Sequence, residues 1–335
     1  MRRSGTGRRL ELVRLTRRAA IWGGGVVLLL ALALPTIQLQ DLGAHPAGLS
    51  PGLLIAVLGL SLANYAVRSL RWQLLSRAAG LRVPLGRNSL YYIAGFAFAM
   101  TPGKVGEVVR LWLLHRHHGT PYERSVGLLL VDRLTDALPL LIFCLPALGR
   151  FAGQAWGATA AGLLLLAALG LLLRPNWLAG LVRLVYARVR HKPRLFARML
   201  RSLRPLPTIA APRVLAPALG LGLLGWLAEI VGAWLVLGAL GTEIGLAPTA
   251  FVFAFSMLVG GLPVFPGGVG GAEGTMIGLL LLAGVDAGTA VTATAIIRLA
   301  TLGFALLLGF VVLPIAVWWP RGSARRERPH LAPYQ

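Results

Sequence analysis

Thr101-Pro102-Gly103-Lys104-Val105-Gly106-Glu107-Val108-Val109-Arg110 and Phe265-Pro266-Gly267-Gly268-Val269-Gly270-Gly271-Ala272-Glu273 each interrupt an apolar stretch, 88–118 and 248–284. Proline has no N–H to donate and stops an incoming helix, whereas glycine tolerates positive φ and lets two backbones approach closely. Each half-stretch is roughly 14–18 residues, which is marginal for a crossing at about 1.5 Å rise per residue. Both stretches therefore read as re-entrant helical hairpins. Each turn is followed closely by a glutamate, and an arginine stands 31 or 32 residues beyond the proline: Arg133 after Pro102, Arg298 after Pro266.

Outward from the hairpins, full crossings are expected at 20–39, 52–70, 124–148, 155–173, 213–240 and 287–319. Of the 335 residues, 56% are hydrophobic and 13% charged, and the mean hydropathy is +0.74. Soluble domains typically carry about 25% charged residues. Lys and Arg number 33 against 11 Asp and Glu, a net +22, yet they sit between apolar spans and form no nucleic-acid-binding domain. The lone Cys144 excludes an internal disulfide framework and a cysteine-based zinc cluster. Arg2 to Arg18 ahead of the apolar run 21–34 could be taken for an export signal; the spans that follow favour a retained first helix.

Charge bias sets the expected orientation. Arg68, Arg71, Arg77, Arg82 and Arg87 are read as a loop between the second crossing and the first hairpin, and Arg116 and Arg124 follow that hairpin. Arg174 to Arg213 form the largest basic loop and Arg321 to Arg328 a basic tail, whereas 40–51, 241–247 and 284–289 hold no Lys or Arg. Both termini then lie on the cytoplasmic side. The expected fold class is an all-α polytopic membrane protein: six full crossings plus two re-entrant helical hairpins arranged as an inverted repeat. Repeat one covers 52–148 and repeat two 213–319, within a transmembrane domain 20–319 flanked by basic segments 1–19 and 320–335. Secondary transporters share this plan, with broken helices meeting near the midplane. Residues 178–204 pattern as one amphipathic helix lying on the cytoplasmic leaflet and drawing anionic lipids.

Ionisable groups inside a bilayer are costly and should be paired or face a wet cavity. Here they are Glu107, Arg110, Asp132, Arg133 and Asp136 in the first repeat, and Glu229, Glu273 and Arg298 in the second. The half-helix leaving each Pro-Gly turn would aim its free N–H groups and positive dipole end at the protein centre, where an anion can sit. Glu229, alone in an apolar helix, suits a hydrogen-bonded packing residue or a protonated acid. His115, His117 and His118 lie in a basic segment without carboxylate partners and are expected to be solvated rather than to bind a metal.

The stretch 101–110, the stretch Val131-Asp132-Arg133-Leu134-Thr135-Asp136, and Pro266 to Glu273 with Arg298 resemble the flippase-like membrane family, also called the lysylphosphatidylglycerol synthase transmembrane region. The resemblance runs from about 20 to 319. It implies movement of a polar-headed lipid between leaflets of a bacterial cytoplasmic membrane, with aminoacyl-phospholipids, polyprenyl-phosphate sugars and other glycolipids as candidate substrates. The aminoacyltransferase domain of the synthase has no counterpart after 319, so lipid synthesis is not expected. Carried over, the translocation site comprises Pro102, Gly103, Gly106, Glu107, Arg110, Asp132, Arg133 and Asp136, with Glu229, Pro266, Gly267, Gly268, Gly270, Glu273 and Arg298. Arg133 and Arg298 would neutralise a lipid phosphate. Glu107 and Glu273 would pair with them in the empty state or engage a cationic headgroup, and Asp132 and Asp136, one turn apart, could carry a proton. The same Glu–Arg pairs could equally serve only to hold the hairpins in place.

No cofactor is expected and no nucleic acid; oligomeric state, lipid headgroup and energy source are left open. Two other classes stay in play. A membrane-embedded lipid-modifying enzyme would need a nucleophile beside a base. None of His45, His115, His117, His118, His191 or His330 lies in a span, and His-Glu-x-x-His does not occur. A non-transporting partner of a glycosyltransferase or lipid synthase is the other.

Overall fold

The computed structural model describes residues 50–101, 105–147, 149, 155–189, 193–261 and 268–319. The expected first crossing 20–39, the segments 1–19 and 320–335, and the site residues Pro102, Gly103, Pro266 and Gly267 lie outside the described residues.

Every described element is helical. In order these are α1 (Pro51–Ala78), α2 (Leu85–Ala94) continued by a 3-10 turn (Gly95–Phe98), α3 (Val105–His118), α4 (Tyr122–Cys144), α5 (Ala155–Leu173), α6 (Pro175–Val189), α7 (Pro193–Leu203) and α8 (Leu206–Ile209). Then come α9 (Pro212–Ala239), α10 (Leu246–Gly260), α11 (Gly271–Leu282), α12 (Ala287–Arg298), a π turn (Leu299–Gly303) and α13 (Phe304–Trp318). Local chemistry marks the ends. Ser50 Oγ accepts the Leu53 N–H at 3.2 Å ahead of Pro51, and Asp286 Oδ1 accepts the Thr289 N–H at 2.9 Å to start α12. Gly80, Gly241 and Gly284, at φ 77°, 80° and 90°, follow the C-termini of α1, α9 and α11.

Among the described residues, three helical runs are long and apolar enough to cross a bilayer: Pro51–Ala78, Pro212–Ala239 and Ala287–Trp318. Helix α4 has 23 residues but carries Asp132, Arg133 and Asp136 inward. The outer surface is apolar, with Leu54, Ile55, Leu58 and Leu62 of α1 and Leu307, Val311 and Ile315 of α13 exposed. Helix α1 hides its polar residues instead, burying Ser61, Asn64, Ser69, Arg71, Gln73 and Ser76. Apolar outside and polar inside is the distribution a lipid solvent selects.

Helix α1 lies along α9. The leading half of each hairpin packs on the closing helix of the other set, α2 against α13 and α10 against α4. Each hairpin is closed by glycine. A Cβ at Gly106 would collide with the Gly95 carbonyl oxygen, and one at Gly260 would stand 2.8 Å from the Ala272 Cβ. A polar knot fixes α2 to α1: the Trp72 indole N–H donates to Asn88 Oδ1 at 2.9 Å, and Asn88 Nδ2 donates to Gln73 at 2.6 Å and Ser76 at 3.1 Å.

Two expectations change. Arg68 and Arg71 are not loop residues: α1 continues to Ala78 and carries both into the bundle, Arg71 with no exposure at all. The stretch 178–204 is not one helix either. Helices α6 and α7 are separate, as Pro193 opens α7 where its missing N–H costs nothing, and they meet through Tyr186 and Phe196, 5.1 Å between ring centroids. Helix α7 also packs on α4.

Candidate functional site

Two apolar clusters, one around Trp72, Tyr91, Leu113 and Leu313, the other around Trp226, Phe253, Met276 and Ile297, form the interior. A cavity of about 260 Å³ draws its lining from both. Tyr92, Gly106, Glu107, Arg110 and Arg133 come to it from the first set of helices, with Asn64, Tyr65 and Arg68 of α1. Trp226, Glu229, Met257, Gly268, Ala272 and Arg298 come from the second. Beside Arg298 the helix widens into the π turn, and the Tyr65 hydroxyl donates to the Thr301 carbonyl there. Insertions of this kind recur at functional sites.

The expected glutamate–arginine pairs are present on both sides. Arg133 Nη1 lies 3.2 Å from Glu107 Oε1, and Arg298 Nε donates to Glu273 Oε1 at 2.6 Å. Glu273 also acts on its own helix. Its Oε2 accepts the Gly270 N–H at 2.7 Å, capping α11, so the carboxylate ties the end of the turn, with Gly270 at φ 83°, to α12. Arg298 Nη1 also faces the Met257 sulfur at 3.8 Å.

The first half holds a denser network than spacing alone indicated. Arg71 Nη2 donates to Asp132 Oδ1 at 3.0 Å and to Asp136 Oδ1 at 2.8 Å. Asp136 Oδ2 accepts from Arg68 Nη2 at 2.5 Å, and Asp132 Oδ2 from Arg110 Nη1 and Arg133 Nη2, both at 3.3 Å. Every oxygen of the two aspartates is thus engaged by a guanidinium. Arg110 lies 4.5 Å from the Trp72 ring centroid and 3.9 Å from that of Tyr92, and Arg68 lies 4.9 Å from the Trp226 ring.

The network is unbalanced. Four guanidinium groups, of Arg68, Arg71, Arg110 and Arg133, face three carboxylates, of Glu107, Asp132 and Asp136. Among the described residues the buried Nε–H groups of Arg68, Arg110 and Arg133, which line the cavity, and of Arg71 beneath it, have no acceptor. Clustered guanidiniums with unspent donors are the chemistry of an anion site.

Glu229 is buried beside this network and accepts from Asn64 Nδ2 at 2.6 Å. The histidines lie apart and are not simply solvated: His115 stacks on Tyr122 and His117 on Tyr91, at 4.4 and 5.6 Å between centroids, and His118 Nε2 is 3.3 Å from the Tyr91 hydroxyl. No group of three metal-ligating side chains occurs among the described residues. Sequence reasoning missed Asn64, Tyr65, Arg68, Arg71 and Trp226. Arg68 and Arg71, three residues apart on α1, stand opposite Asp132 and Asp136, four apart on α4, and that matched spacing was the available signal.

A lipid-facing exterior of helices around a buried charged cavity defines an integral membrane protein with a polar centre. The chain belongs to the lysylphosphatidylglycerol synthase TM region family, which it matches over residues 19–309. It is 27% identical over 277 residues to a UPF0104 membrane protein of Methanothermobacter thermautotrophicus, covering 74% of this chain and 81% of that one. It is 26% identical over 298 residues to glycosyltransferase AglD of Haloferax volcanii, covering 77% of this chain but only 48% of the relative's length.

Proposed function

We propose that this protein moves a polar-headed phospholipid or phosphate-linked glycolipid between leaflets, the headgroup passing through the central cavity while the acyl or prenyl tails remain in lipid. One observation carries the reading: a cavity shared by both sets of helices is lined by Arg68, Arg110 and Arg133, whose buried Nε–H groups have no acceptor among the described residues. A phosphate supplies the missing acceptors, and Arg298 faces the same space from the other side. About 260 Å³ suits a polar cap rather than a whole lipid.

The architecture that goes with this function is six crossings and two re-entrant hairpins in a cytoplasmic membrane, with an inverted repeat over 52–148 and 213–319 and both termini inside. The exchanged packing of α2 on α13 and α10 on α4, together with the glycine-closed hairpins, supports it. Glu107 and Glu273 occupy Arg133 and Arg298 when no lipid is present and release them to it.

The test is reconstitution into vesicles with fluorescent acyl-labelled phospholipids. Protein-dependent transfer between leaflets that falls sharply in a folded Arg298→Ala variant is expected; normal transfer in that variant removes Arg298 from the path. Conversion of the lipid into a new chemical species would replace the transport reading by an enzymatic one. The likeness to a glycosyltransferase favours a second reading, in which this domain holds or delivers a lipid-linked sugar for such an enzyme. Lipid binding without transfer in vesicles would select it.

A further inference from the structure

Arginines make up one flank of the cavity, and they are all donors. Two residues beside them have the opposite character. Asn64 of α1 and Glu229 of α9, 1% and 4% exposed, both line the cavity and are joined by the single Asn64 Nδ2 to Glu229 Oε1 bond. The two remaining oxygens, Asn64 Oδ1 and Glu229 Oε2, are buried without a hydrogen-bond partner among the described residues. Glu107, Asp132, Asp136 and Glu273 each have an arginine within 4 Å; Glu229 has none among the described residues. Gly225, one turn earlier on α9, lets the Asn64 amide approach that helix closely, as a Cβ there would lie 2.8 Å from Asn64 Oδ1. Two neighbouring buried acceptors left unpaired are costly, and what they lack is a donor.

We propose that Asn64 and Glu229 form a second subsite that reads the hydrogen-bond donors, hydroxyl or ammonium, carried by a lipid headgroup next to its phosphate. This deepens the lipid reading above and rests on it. Orphaned donors on Arg68, Arg110 and Arg133 and orphaned acceptors on Asn64 and Glu229 then describe one ligand: an anionic phosphate at one end, N–H or O–H groups at the other. A headgroup without donors leaves both oxygens dry.

The rival account is a proton on Glu229 Oε2 that is donated to Asn64 Oδ1, closing the pair upon itself. Glu229→Gln separates the two, because its amide supplies that internal donor at nearly unchanged shape. Binding of three phospholipids with identical acyl chains to the purified full chain in detergent would be compared by native mass spectrometry. Phosphatidylglycerol offers hydroxyls, phosphatidylethanolamine an ammonium with N–H groups, and phosphatidylcholine a cation with none.

At least one donor-bearing lipid is expected to bind about tenfold tighter than phosphatidylcholine, and which one leads identifies hydroxyl or ammonium as the source. In Glu229→Gln and Asn64→Leu the preference is expected to shrink to about twofold or less. Equal binding of all three lipids by the native protein, or an unchanged preference in Glu229→Gln, would overturn the proposal. Transfer in vesicles is read separately. A donor preference in detergent that is lost in Glu229→Gln upholds the subsite even if no lipid is moved, and only the transport reading then falls.

Discussion

Arg71 Nη2 stands 3.0 Å from Asp132 Oδ1, and neither side chain has any exposed surface. Two charges withdrawn from water are held by each other and by their neighbours, so loss of one leaves the other uncompensated in a dry place. Arg71→Met is expected to destabilise the protein by about 3–5 kcal/mol. The check is the thermal unfolding midpoint in detergent, where Arg71→Met combined with Asp132→Asn should recover part of the loss.

Glu273 joins a cap and an ion pair in one carboxylate. Glu273→Gln keeps an oxygen for the Gly270 N–H, whereas Glu273→Ala keeps nothing and forfeits a cap worth about 1 kcal/mol in addition to the pair. Unfolding midpoints in the order native, Gln, Ala are expected. Equal midpoints for the two variants would show that the cap contributes nothing.

The first hairpin depends on Gly106. Gly106→Ala drives a methyl into the Gly95 carbonyl, and overpacking of this kind costs about 1–3 kcal/mol. Gly274 on α11 meets nothing within 4 Å, so Gly274→Ala should be neutral or stabilising by up to about 1 kcal/mol through helix propensity. Thermal midpoints of the two alanine variants, measured side by side, should move in opposite directions.

Asp286 gives a pH signature outside the spans. The Thr289 N–H that it accepts holds its carboxyl below the ordinary carboxylate value. A carboxyl lowered by folding stabilises at pH above its unfolded value, and that contribution disappears as pH falls through the lowered one. Asp286→Asn can still cap but cannot titrate. The midpoint of the native protein should therefore fall more steeply on acidification below about pH 4 than that of the variant.

Much of the architecture was legible because each sign had a local cause. Proline and glycine break 88–118 and 248–284, and the helices on either side stop close to those breaks. The segment expected at 155–173 is α5, and that expected at 213–240 is α9, one residue displaced. The Glu107–Arg133 and Glu273–Arg298 pairs followed from repeated spacing. Arg71 was misplaced because a bilayer-length rule ended the second crossing at 70, and Arg68, though inside that crossing, was counted with the arginines of the loop; α1 runs on to Ala78 and both find counter-ions on α4. Asn64 and Trp226 gave no such sign. A neutral amide and an indole in apolar helices look like ordinary interior residues until α1 and α9 bring them to one cavity.

The salt links are unevenly shared. Four guanidiniums lash α1, α3 and α4 together, while among the described residues one Glu273–Arg298 pair links α11 to α12 beside the π turn. One flank is thus cross-braced by charge and the other leans on apolar contacts. On the transport reading proposed above, the α10–α11 arm is the part expected to shift against α1, and a pair of spin labels spanning the two would register the swing.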